Sequence, residues 1–279
     1  SALGLALMQM AGSRQIVLAG DPPAKAIYGA FPNQAGVMAA LLSKQGLVAE
    51  CDVFGGPAGL YAVIYDGEGD MDVLTEGLGT EFLLDEVGFK PWPTSNQLHP
   101  FIEAAGEIGG GFDTADVTEI EIFAHGDLRP WCEPLEARRH PNNAAAAANS
   151  IPFCVAKALV HGDVTLADFT AEGLRDKAVA AIAARTSCRF DDRVSGAHLK
   201  LGLGDGQRFE ARVETPLGDR SRPVSPERLV EKFRDCCRHG VARLTDEDVA
   251  RLIDMIDNLD RLDDIGRLAA LAGGGAAAG

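Results

Sequence analysis

Apolar positions near the start of the chain recur at helical spacing. Val37, Met38, Leu41 and Leu42 share one face over 33–45, which predicts a helix that Gly46 stops. Phe54-Gly-Gly-Pro-Ala-Gly59 is a turn cluster ahead of a further helix. Near Phe89 the period changes. Residues 117–123 alternate, with Ile120 and Ile122 on one face and Glu119 and Glu121 on the other, as in a half-buried strand. Leu199, Leu201 and Leu203 alternate, Gly204-Asp-Gly-Gln207 turns, and Phe209, Ala211 and Val213 alternate again, which predicts an antiparallel hairpin. Helices are expected between these strands at about 150–160 and 171–184, the first led in by the alanine run 144–148. After Thr215 the strands stop. Ser225-Pro226 opens a helix that Gly240 closes, and Thr245 with Asp248 forms a capping box for the next.

The order is helices, a mixed block, then helices. The simplest architecture is a helical domain interrupted by an α+β domain, with bounds at 1–86, 87–221 and 222–272 and a disordered Gly/Ala tail at 273–279. A chain of 279 residues with 46% hydrophobic content can bury a sizeable core and has a soluble globular composition. No apolar run approaches the roughly 20 residues needed to span a bilayer. The apolar stretch 1–10 has no basic flank and reads as a helix taken from a longer protein rather than as a signal peptide. The net charge of -15 argues against a nucleic-acid partner, and an anionic substrate would need a local group of cations. The six cysteines have the spacing of neither a zinc site nor a disulfide framework, and are expected to be reduced, mostly buried thiols of a cytoplasmic protein.

Two segments carry chemistry. Ala24-Lys-Ala-Ile-Tyr-Gly-Ala-Phe-Pro-Asn-Gln-Ala-Gly36 places Lys25 in a loop before a helix start. Gly88-Phe-Lys-Pro-Trp-Pro-Thr-Ser-Asn-Gln-Leu-His-Pro100 holds Lys90 in a stiff, proline-rich stretch with His99 at a helix start. Spacing alone makes each of them a turn followed by a helix cap.

Lys90-Pro-Trp-Pro with His99-Pro100 resembles the K-P-[YW]-P-x-x-x-x-x-H-P signature of the MmgE/PrpD family, and Lys25 to Gly36 resembles its T-K-x-L-H-x-G segment. Phe54-Gly-Gly-Pro-Ala-Gly-Leu60, Ser150-Ile-Pro-Phe-Cys-Val-Ala156, Gly162-Asp-Val with Phe169-Thr, and Glu231-Lys-Phe-Arg-Asp-Cys236 also resemble family segments, in order. Each is weak alone; together they are specific. The resemblance implies a partial all-α helical domain interrupted by a smaller α+β lid with a hairpin-containing antiparallel sheet, usually in a homodimer. Members dehydrate 2-methylcitrate, decarboxylate cis-aconitate or epimerise iminodisuccinate, with no metal or other cofactor. In all three, charge develops on carboxylate oxygens and a proton must move.

By the same resemblance, Lys90, Lys25 and His99 are the expected catalytic residues. Tyr28, Gln34, Asn96 and Ser150 are the expected substrate contacts, with Arg138 and Arg139 as added positive charge. Tyr28 replaces a family histidine, and Asn96 stands where an arginine often lies, which removes a carboxylate clamp. The family's upstream aspartate and H-P-G histidine have no counterpart here; His140-Pro141-Asn142 is only a partial look-alike. The expectation is a hydro-lyase acting on a small di- or tricarboxylate as a partial chain. It would work as a homodimer or with a separately encoded N-terminal half, without nucleic acid or membrane. The alternatives are a non-catalytic dimerising or anion-binding remnant, or an epimerase. Lys25 and Lys90 are expected to share a cleft, and the helical part to expose apolar surface that includes 2–10.

Overall fold

The computed structural model describes residues 1–10, 15, 24 and 27–274. The chain divides into two compact units, Ser1–Glu86 and Val87–Gly279. The helices after residue 221 fall in the second unit.

The first unit holds α1 (Ala2–Met8), α2 (Ala30–Lys44) and the short α3 (Leu60–Ile64). Helix α2 begins at Ala30 rather than 33, because Pro32 fits the first turn, where a missing N–H costs nothing. Helix α1 packs on α2, and α2 buries Ala39 alone. Its large apolar side chains, Phe31, Val37, Met38, Leu41 and Leu42, are all exposed. Among the described residues of this unit, Leu5 is the only large apolar side chain that is buried. A helix apolar on so much of its circumference is the kind that lies inside a bundle. Leu3, Met8 and Met10 add to the exposed surface, as expected for 2–10.

The second unit is built on a four-stranded sheet in the order β2-β1-β3-β4. The strands are β1 (Val117–Ala124), β2 (Thr186–Phe190), β3 (Ala197–Leu203) and β4 (Arg208–Val213). The hairpin predicted from alternation is β3–β4, paired antiparallel with Leu201 opposite Phe209. Strand β1 lies antiparallel to β3, with Ile120 opposite Leu201. The sheet is mixed rather than antiparallel, because β2, which the sequence pattern does not predict, pairs parallel to β1. The expected helix 171–184 is shorter for a related reason. Asp176 accepts hydrogen bonds from the Ala178 and Val179 amides and caps a helix confined to Lys177–Ala183, so the chain re-emerges in time to form β2.

Between β1 and β2 run α5 (Arg129–Cys132), α6 (Leu135–Arg139), α7 (Ala144–Ala147), α8 (Ile151–His161) and α9 (Lys177–Ala183); α4 (His99–Ile108) precedes β1. Helix α4 packs against α8 and against β3 and β4, and α9 packs on α8. The core they enclose includes Phe101, Ile120, Ile122, Ile151, Leu199 and Leu201. Burial of each such side chain contributes about 1.5–3 kcal/mol. Every residue of α8 from Ile151 to Leu159 is buried, Lys157 among them. The chain ends in α10 (Pro226–His239), α11 (Asp246–Asp257) and α12 (Ile265–Ala272). Ser225 caps α10 and Thr245 with Asp248 forms the capping box of α11, both as the sequence predicts. The six thiols are free: Cys132 and Cys154 are buried, Cys188 and Cys237 half-buried, and Cys51 and Cys236 exposed. They are thus less buried than expected, partly because Cys236 and Cys237 sit on α10, a helix with no buried residue. Of the predicted tail, 275–279 lie outside the described residues.

Candidate functional site

The proline-rich loop 90–94 leads through a 3-10 turn, Asn96–Leu98, into α4. Proline at its second position suits the helix start, and it fixes His99 as the first helical residue. His99 is 4% exposed. The Trp92 ring meets its imidazole edge-on, with ring centroids 5.5 Å apart. Lys90 Nζ donates to the Thr94 carbonyl (3.2 Å), which folds the loop back on itself.

Helix α10 clamps the same loop from outside. Lys232 Nζ donates to the Lys90 carbonyl (2.6 Å). The Trp92 indole N–H donates to Asp163 Oδ1 (2.6 Å), and Arg228 donates to Asp163 Oδ2 (2.5 Å). A cleft of about 300 Å³ lies beside Pro91 and Pro93 and is lined by Arg228, Glu231, Lys232 and Asp235 among others.

Burial holds the His99 imidazole pKa down to about 4, and the positive charges of Lys90 and then Lys232 add to the effect, against hydrogen bonding to the backbone of Thr94 and Trp92. Its Nε2 is buried and has no hydrogen-bond partner among the described residues. At neutral pH the ring is a neutral group with an unused nitrogen beside two ammonium groups. The unfolded chain takes up this proton near 6.5 and the folded chain only near 4, so the stability tied to neutral His99 is complete above about pH 6.5 and is lost as pH falls towards 4. Urea unfolding at pH 7.5 and pH 5 should show a larger acid-side loss for the parent chain than for His99→Leu. Equal losses would mean that His99 does not titrate this way.

The other expected site residues are placed as follows. Asn96 is exposed at the start of the 3-10 turn. Ser150 is fully buried as the cap of α8; its Oγ accepts from the Phe153 amide (3.2 Å) and donates to the Arg138 carbonyl. Arg138 Nη1 donates to the Asn149 carbonyl (3.0 Å). Arg139 pairs with Glu136 and donates to the Thr186 carbonyl. These guanidiniums tie α6 to the turn before α8 and to the start of β2. Tyr28 and Gln34 are exposed in the first unit. Lys25 lies outside the described residues, and with it the expected cleft shared with Lys90.

The structure thus brings Lys90 and His99 together and adds Lys232, Arg228 and Asp163, to which the sequence reading gave no role. Lys232 lies in the Glu231–Cys236 segment and Asp163 in Gly162-Asp-Val, both of which resemble family segments, and that resemblance is the signal the sequence holds for them. Among the described residues no helix is long and apolar enough to cross a membrane.

Fold and site together define a class: a helical protein with an α+β unit that presents a lysine and a buried histidine from a proline-rich loop. The chain belongs to the MmgE/PrpD family, for the sequence model of the MmgE/PrpD C-terminal domain matches residues 92–261. It is similar to 2-methylcitrate dehydratase of Escherichia coli O157:H7, at 27% identity over 245 residues covering 80% of this chain and 47% of that protein. It is also similar to 2-methylcitrate dehydratase of Salmonella typhimurium, at 27% identity over 246 residues with the same coverage. The chain therefore spans about half the length of the curated relatives it matches.

Proposed function

We propose that the chain is part of a hydro-lyase that removes water from a small di- or tricarboxylate by proton abstraction beside a carboxylate. The observation that carries this reading is the buried His99 ring, neutral at working pH and with Nε2 unpartnered, next to the Lys90 ammonium. A cation beside a proton acceptor is what the chemistry requires: the lysine stabilises charge on carboxylate oxygens while the imidazole handles a proton. The names of the relatives point to 2-methylcitrate or a related hydroxy acid as substrate. Lys25 is the second substrate lysine in this reading, with Tyr28, Gln34 and Asn96 as further contacts. No metal or other cofactor takes part.

The exposed apolar surface of the first unit supports a partner. It suits further helices, carried by an upstream stretch of polypeptide, a separately encoded half, or a second copy in a homodimer. The reading places the assembly in the cytoplasm.

A second reading, a non-catalytic dimerising or anion-binding member, is favoured by the lack of an arginine clamp at the expected positions among the described residues. Asn96 brings no charge, and Arg138 and Arg139 are committed to backbone carbonyls. Calorimetric titration with citrate tests the shared premise. The chain should bind citrate, and Lys90→Ala should weaken binding about tenfold, the loss of one charge-assisted contact. Citrate binding that Lys90→Ala leaves unchanged would remove Lys90 from the site.

A further inference from the structure

A site for a di- or tricarboxylate needs more than one cation, and Asn96, between Lys90 and His99 in sequence, carries no charge. The structure offers a second cation from a segment distant in sequence. Lys232, on α10, reaches the same short loop that carries Lys90, donating to the Lys90 carbonyl at 2.6 Å. Each ammonium carries three protons, and the hydrogen bonds found for Lys90 and Lys232 use one apiece.

The carboxylates around Lys232 are engaged elsewhere. Glu231 pairs with Arg228 at 3.6 Å, and Asp235 with Arg238 at 3.3 Å and His239 at 3.4 Å. Asp163 is held by Arg228 and the Trp92 indole. Neither Lys90 nor Lys232 forms an ion pair among the described residues. In a chain of net charge -15, two lysines without ion pairs, Lys90 on the loop and Lys232 reaching it from α10, both close enough to act on the buried His99 imidazole, form a local positive site. The Asp163–Arg228–Trp92 network fixes α10 against the loop, so this charge is held in place rather than on a free arm.

We propose that Lys232 is a second carboxylate-binding cation of the Lys90–His99 site, setting the preference for substrates with two or more carboxylates. This rests on the reading of that site as a carboxylate site.

The test uses the 279-residue chain and citrate, with Lys232→Gln, Lys232→Arg and Lys90→Ala compared by calorimetry at low salt. Glutamine keeps a donor for the Lys90 carbonyl and removes only the charge. Lys232→Gln should raise the Kd for citrate about tenfold and change acetate binding little, and Lys232→Arg should stay within about threefold of the parent. A tryptophan fluorescence spectrum of Lys232→Gln, compared in the Trp131→Phe background so that Trp92 alone reports, that matches the parent's will show the loop intact, and the His99 pKa read by NMR should rise in Lys232→Gln as a positive neighbour is lost. If Lys90→Ala weakens citrate binding and Lys232→Gln does not, Lys232 merely straps the loop and the inference fails alone. If the parent chain binds no di- or tricarboxylate, the carboxylate reading fails and this inference with it.

Discussion

The purified 279-residue chain should bind citrate-like anions and dehydrate none of them. Co-expression with a helical polypeptide that carries the family's upstream aspartate and H-P-G elements should restore water loss from 2-methylcitrate. Dehydration needs a base for the proton and an acid for the departing hydroxyl. The second unit supplies one candidate, His99, with an imidazole held near a pKa of about 4. No H-P-G sequence occurs in the chain to supply the other family group. Loss of one acid or base typically costs about 10²–10⁴ in rate. In the proposed reading two groups and part of the pocket come from the partner, and their absence should cost more, because positioning is lost as well. In the first unit α2 leaves Phe31, Val37, Met38, Leu41 and Leu42 in solvent, the surface on which the proposed partner would be expected to pack. Product formation followed by chromatography, with and without the partner, measures the effect. Robust turnover by the chain alone would show that it holds its own acid–base pair.

What the sequence made legible was local. The β3–β4 hairpin follows from strict alternation around a Gly-containing turn, and the caps at Ser225 and Thr245 follow from side chains that satisfy amides a few residues away. His99 at a helix start follows from the proline beside it. What it hid was set by distance along the chain. Strand β2 is short and pairs parallel with β1 across the whole α5–α9 connection, and Thr-Ser-Cys-Arg-Phe shows no clean alternation. Lys232 meets Lys90 across 142 residues. Arg138 and Arg139 looked like free positive charge in sequence. In the fold they satisfy the backbone carbonyls of Asn149, in the turn before α8, and of Thr186, at the start of β2, a use that depends on segments brought together only by packing. The burial of Lys157 was hidden in the same way, because its partners come from the loops that follow α8.

Asp168→Ala is expected to destabilise the second unit by about 3–5 kcal/mol, while Lys157→Met should cost much less. Lys157 is 1% exposed in the middle of an apolar helix. Its ammonium lies 3.1 Å from Asp168 and 3.7 Å from Asp176. Asp168 also accepts from the Thr165 amide (2.7 Å) and hydroxyl (3.1 Å), forming a capping box for its own short turn. Its removal leaves a buried ammonium with one more distant carboxylate, and the loss of the cap adds about 1 kcal/mol. The reverse substitution is gentler. With methionine at 157 no buried cation remains, Asp168 keeps both Thr165 donors, and Asp176 keeps His161 at 2.7 Å and the Ala178 and Val179 amides. Methionine also fills the space of the lysine stem without a polar head. Both tryptophans, Trp92 and Trp131, belong to the second unit, so urea unfolding followed by their fluorescence reports on it alone. A cost below about 1 kcal/mol for Asp168→Ala, or a larger cost for Lys157→Met than for Asp168→Ala, would show that the buried lysine does not depend on this carboxylate.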